Sequence, residues 1–174
     1  MSLAVTCRID GDALGDLQRM AERVADLRPL LHRIGALIRE DLLRQFQAAG
    51  EPRWRPLSPS TIAQKRRQGY PRLSRDGKPP TRMIQNGQFG PQNILMRTGA
   101  LLSSYVDDSD PDHIEQVTES GIEVGSSLPY ADHHQYGTRR MAARPLTITA
   151  QGLAAIERAA ETYMEEDHAS RPAG

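Results

Sequence analysis

The apolar positions along this chain change period several times, and each change marks an element. Leu3, Val5, Cys7 and Ile9 alternate with polar residues, which predicts a short strand over 3–9. After Asp10 and Asp12, Leu14, Leu17, Met20, Ala21, Val24 and Leu27 recur at helical spacing and predict an amphipathic helix over 12–26. Pro29 opens a second helix. Its stripe is Leu31, Ile34, Ile38, Leu42 and Phe46, widened by Leu30, Leu37 and Leu43, and Gly50-Glu51-Pro52 ends it near 49. Two helices joined so tightly are expected to pack as a hairpin. Ser58 then caps a short helix over 59–68 whose first position is Pro59. Trp54, just ahead of it, is expected to anchor the intervening loop over the core.

From Gly69 to Gln92 the periodicity disappears: glycines and prolines recur and apolar residues are few, which predicts a long loop. Order returns at Thr98, which is placed to cap a helix with Leu101, Leu102 and Tyr105 facing inward, ended by Asp107-Asp108-Ser109-Asp110-Pro111. Two strands, 113–118 and 121–126, follow as a hairpin with charged side chains on its outer face. Gly125 and Pro129 break the second strand, Tyr130 to Tyr136 makes about two helical turns, and Gly137 fits the left-handed position that closes them. Pro145 biases Arg144 toward extended geometry and predicts a further strand through Leu146 and Ile148. Thr149 caps a last helix over 150–166, with Leu153, Ile156, Ala160, Tyr163 and Met164 inward. Glu157, Glu161, Glu165, Glu166 and Asp167 face outward, and 168–174 is expected to fray. The sum is one α+β domain over 1–174: an N-terminal helical hairpin, a small antiparallel sheet with short helices, a C-terminal helix and a long loop.

Composition changes this picture in two ways. The chain of 174 residues is long enough to bury a core without staples, Cys7 has no disulfide partner in it, and no apolar run approaches the ~20 residues that span a bilayer. These features suggest a soluble protein of a reducing compartment, with no membrane partner. Charge is more informative, because 22 basic and 22 acidic side chains cancel overall but are segregated along the chain. Residues 1–52 carry −1, residues 53–97 carry +9 and residues 98–174 carry −8. The long loop is therefore a basic arm, with Lys65, Arg66, Arg67, Arg72, Arg75, Lys78 and Arg82 as its cations. Such segregation marks a partner surface, for nucleic acid or for another copy of the same chain.

Residues capable of chemistry gather in one stretch: Asp132, His133, His134, Tyr136, Arg139, Arg140 and Arg144. A metal site on His133 and His134 is the sharp alternative. Adjacent helical histidines diverge by roughly 100°, and no HExxH pair or spaced Cys/His cluster completes a coordination shell. Asp107, Asp108, Asp110 and Asp112 lack the glycine and closing glutamate of a calcium loop, so a solvated acidic turn is expected. No nucleophile–base pair or phosphate-cradling glycine loop stands out, and no enzyme activity or cofactor is expected. Arg97 and Arg144 each stand at an element boundary, where a planar guanidinium is expected to be fixed by carbonyls or a carboxylate.

The ordered landmarks are Trp54 with Pro56-Leu57-Ser58 and Thr61, then Lys65, then Ile94-Leu95 with Arg97-Thr98-Gly99-Ala100-Leu101 and Ser104. Val124-Gly125-Ser126, Tyr130-Ala131, His134-Gln135-Tyr136-Gly137 and Ala143-Arg144-Pro145-Leu146 complete the set. The pattern resembles the phage virion morphogenesis family, the tail-completion or neck proteins of contractile-tailed phages and Mu-like prophages. That resemblance implies a small α+β subunit that forms a homo-oligomer, as a ring, at the head-proximal end of the tail. It implies phage tail and head-completion proteins as partners, and a virion component assembled in the bacterial host cytoplasm. The competing readings are a nucleic-acid-binding module using 53–97, with possible DNA contact, and a metal-dependent hydrolase on His133 and His134. Against the nucleic-acid module stand the neutral total charge and the lack of a helix-turn-helix, zinc finger or RNA-stacking motif.

Overall fold

A single long helix, α1 (Arg28–Ala48), is the surface on which the other elements pack. It starts one residue before Pro29, which occupies the first turn where no backbone N–H is needed, and it ends at Ala49 in the left-handed conformation. The computed structural model describes residues 26–67, 90–119 and 121–165. The predicted strand over 3–9, nearly all of the predicted helix over 12–26, the tail and most of the basic arm lie outside the described residues. From the expected stripe, Leu31, Leu42 and Phe46 are buried, together with Leu30. Phe46 is enclosed by Trp54, Ile94, Met96, Leu101, Leu102 and Ala131, and this cluster is the core.

The described fold is α+β. Helix α2 (Pro59–Arg67) begins at the predicted Ser58–Pro59 cap, where the Ser58 Oγ accepts the Thr61 N–H at 3.2 Å, and it buries none of its residues. Helix α3 (Ala100–Val106) sinks Leu101 and Leu102 into the core; Ser103 and Ser104 are buried with them. The Ser104 hydroxyl donates to the Leu101 carbonyl at 3.0 Å, which removes the cost of burying it. Thr98 receives the Ala100 N–H at 3.2 Å, while the capping position itself is Gly99, at φ 87°.

Strands β1 (His113–Val117) and β2 (Ile122–Ser126) form an antiparallel two-stranded sheet with Glu115 opposite Val124. His113, Glu115, Val117, Ile122, Val124 and Ser126 share one face by the alternation of side chains, and contacts to α1 and α3 place it inward. Glu115 is thus not on an outer charged face. Arg39 of α1 pairs with it, and His32 and His113 stand 3.8 Å and 3.6 Å from its carboxylate oxygens. Helix α4 (Ala131–Tyr136) and helix α5 (Ala150–Glu165) complete the described chain, and α5 lies along α1.

The strand expected through Leu146 and Ile148 does not form. Residues 143–149 carry no regular secondary structure, and side chains take the place of a neighbouring strand. Trp54 Nε1 donates to the Pro145 carbonyl at 3.1 Å. Gln135 holds both backbone groups of Leu146, donating to its carbonyl at 3.2 Å and accepting its N–H at 2.9 Å. Gln45 does the same for Thr147, at 2.5 Å and 3.5 Å. Asp41 accepts the Thr149 N–H at 2.9 Å. Backbone polar groups need partners when water is excluded, and here two helices and one loop supply them. Replacing Trp54 with phenylalanine removes the bond to Pro145 and keeps the ring, so it should cost about 1 kcal/mol in urea denaturation. An unchanged midpoint would show that the edge-on packing of Trp54 against Phe46, with ring centroids 6.0 Å apart, holds this loop alone.

Candidate functional site

Three landmark segments far apart in sequence meet beside residues 143–149. Lys65, near the end of α2, turns inward. Its Nζ donates to the carbonyls of Asn93 at 2.8 Å and Met96 at 2.7 Å, immediately before Arg97. Burial and the positive charges of Arg97 and Arg144 hold its ammonium down to about 8. Arg144 reaches the same place from the other side, fixed by its own N–H donating to the His134 carbonyl at 2.7 Å. Its guanidinium is half-buried, with Nε enclosed and without a hydrogen-bond partner, and burial lowers its affinity for the proton. His134, also half-buried, leaves Nδ1 enclosed and unpartnered; burial, Arg144 and His133 together push its imidazolium toward the neutral form. The Tyr130 ring meets the His134 ring edge-on, with centroids 6.0 Å apart.

The arrangement concentrates positive charge where solvent is partly excluded. It supplies hydrogen-bond donors to an anion. Arg97 is exposed but not without a partner, and Arg144 is held through its backbone N–H while its Nε has no hydrogen-bond partner.

Of the proposed basic arm, Arg66 and Arg67 are exposed on α2, and Arg72, Arg75, Lys78 and Arg82 lie outside the described residues. The open hollow of about 470 Å³ lined by Ser60, Thr61, Gln64 and Arg67 is the outer side of α2. Tyr130 is largely exposed and Tyr136 is 79 % exposed, so neither packs into the core. Gly137 has φ 77° and ψ 178°, which is positive but extended, not the left-handed helical conformation expected. Pro145 is half-buried against Trp54 through its carbonyl. His133 is exposed, and among the described residues no group of three or more His, Cys, Asp or Glu is placed to hold a metal ion. No described helix is long and apolar enough to cross a membrane.

Asp41 and Gln45 were not singled out by sequence, and Gln135 stood only among the landmarks, although the three fix the segment that carries Arg144. One signal was present. Asp41 and Gln45 stand three and seven residues after Ile38, inside the apolar stripe of α1, where an unpaired polar side chain is costly. No family model, curated protein or solved structure matches this chain.

Proposed function

We propose that the chain is a structural subunit of a phage or prophage virion, a tail-completion or head–tail joining protein that acts as an oligomeric ring. It would be assembled in the bacterial host cytoplasm against tail and head-completion proteins. The observation that carries this reading is how the landmark residues are used. Trp54, Gln135 and Pro145 lock the segment around Leu146 in place through backbone hydrogen bonds, as parts of a scaffold. Beside that scaffold Tyr136, Ile148 (48 %) and Leu153 (51 %) remain exposed as large apolar side chains. Large exposed apolar side chains suit a subunit interface.

Sedimentation velocity tests the reading. Wild type should form a defined oligomer, and the double substitution Ile148→Asp with Leu153→Asp should shift it toward monomer with its fold intact by circular dichroism. Mass spectrometry of purified particles should find the chain in the virion. A protein that stays monomeric at all concentrations and is absent from particles would remove the proposal.

A second reading, binding to a nucleic-acid backbone, is favoured by Arg66 and Arg67, exposed together on a helix that buries nothing. It requires DNA affinity that falls steeply as salt rises.

A further inference from the structure

A half-buried cation is costly unless a dipole or an opposite charge faces it. Lys65 is answered by two backbone carbonyls. Arg144 is not answered in this way: its Nε is enclosed without a hydrogen-bond partner, and burial lowers its affinity for the proton. His134 beside it repeats the pattern at Nδ1. The two residues are held in register by the 2.7 Å bond from the Arg144 N–H to the His134 carbonyl. Gln135, the next residue on α4, clamps Leu146 on the far side of Pro145. The backbone that carries the guanidinium is therefore held on both sides, in a place that repels further cations. A fold that holds a charge this firmly without answering it is organised for a ligand that answers it.

We propose that Arg144, with His134 and Lys65 beside it, forms a binding site for one oxyanion, a carboxylate or an inorganic phosphate group. A planar guanidinium presents paired N–H donors that match two oxygens of such a group, the Lys65 ammonium adds a charge-assisted bond, and the His134 imidazole adds a ring donor whose protonation a bound anion favours. The cluster is compact and partly recessed. A duplex backbone needs cations spread along an exposed track, so this cluster suits a single anionic group better. The site does not depend on the assembly reading: it is a property of one folded subunit, whatever that subunit joins.

The test follows the histidine imidazole signals of the full chain by NMR, near neutral pH, as inorganic phosphate or acetate is added at ionic strength matched with sodium chloride. Anion binding should move the His134 signals saturably and shift its titration to higher pH, leaving the exposed His133 nearly unchanged. Lys65→Gln should weaken the response about tenfold, the loss of one charge-assisted hydrogen bond. Arg144→Gln should abolish it. A response to acetate as strong as that to phosphate identifies a carboxylate, and a response to phosphate alone identifies phosphate; either supports the site. If chloride moves His134 equally, or Arg144→Gln responds as wild type does, the proposal is overturned. The wild-type titration decides the matter even where that variant does not fold. Short duplex DNA is the remaining arm: binding that bypasses His134 and is lost with Arg66→Gln and Arg67→Gln would assign the positive charge to nucleic acid instead.

Discussion

Replacing Asp41 with alanine should lower stability by about 3 kcal/mol. Asp41 is 2 % exposed and gathers donors from two helices. It accepts the Thr149 hydroxyl at 2.7 Å and the Thr149 N–H at 2.9 Å, and Arg44 donates to it at 2.9 Å from the neighbouring turn of α1. Thr149 in turn caps α5 by accepting the Gly152 N–H at 3.0 Å. Alanine leaves buried donors on Thr149 unanswered and frees α5 at the point where it joins α1. The space around the carboxylate is full, since a Cβ on Gly152 would lie 2.5 Å from Asp41 Cγ. Gly152→Ala should therefore destabilise through the same contact. In a domain of this size, 3 kcal/mol corresponds to about 8 °C in melting temperature, read by circular dichroism.

The pH dependence of stability follows from the same residue. Burial alone would raise the pKa of Asp41, but the Thr149 hydrogen bonds and the Arg44 bond and charge outweigh it and hold the carboxyl below the ordinary 3.8. A carboxylate whose folded pKa lies below its unfolded value contributes stability in full above that unfolded value. The contribution is lost as pH falls through the folded one. Wild type should thus weaken on acidification from about pH 5 downward, and Asp41→Ala should lack that share of the slope. Urea midpoints measured between pH 3 and pH 7 compare the two, and parallel curves would show that Asp41 is not held as an anion.

What could be read from sequence was whatever the chain does with its own neighbours. The period of Leu31, Ile34, Ile38, Leu42 and Phe46 announces α1, and Ser58–Pro59 and Thr149 announce two helix starts, because caps and stripes are local. Residues 143–149 were misread for the opposite reason. Pro145 implied extended backbone, but whether such a segment becomes a strand depends on what lies beside it. Here that is Gln45, Asp41 and Trp54, about a hundred residues away in sequence. Glu115 was hidden likewise, since its counter-charge, Arg39, comes from another element and reverses which face a glutamate occupies. The basic cluster was legible residue by residue: Lys65, Arg97 and Arg144 all stood among the landmarks. Their meeting was not, because α2 and the segment after α4 converge only in the folded chain.

Gly137→Val should cost about 3 kcal/mol, and unlike Asp41→Ala its effect should be nearly independent of pH. The backbone at this position has φ 77° and ψ 178°, a region that residues with a Cβ avoid. Space forbids the side chain as well: a Cβ would lie 2.7 Å from the Ala143 nitrogen and 2.9 Å from the Met141 oxygen, both backbone atoms that cannot step aside singly. The Met141 oxygen belongs to the loop closed by the Thr138–Met141 bridge, and Ala143 follows it where the chain turns from α4 back toward Arg144. The loop must move if valine is present, and the bond from the Arg144 N–H to the His134 carbonyl spans it. Two losses should therefore appear together, a lower urea midpoint and a weakened His134 response to added phosphate. Gly137→Ala should show both in smaller measure, as it shares the strained φ and the first carbon but not the branch. A Gly137→Val protein with wild-type stability would mean that the turn has another conformation in solution. A protein destabilised but fully responsive to phosphate would show that Arg144 and His134 keep their register without this loop.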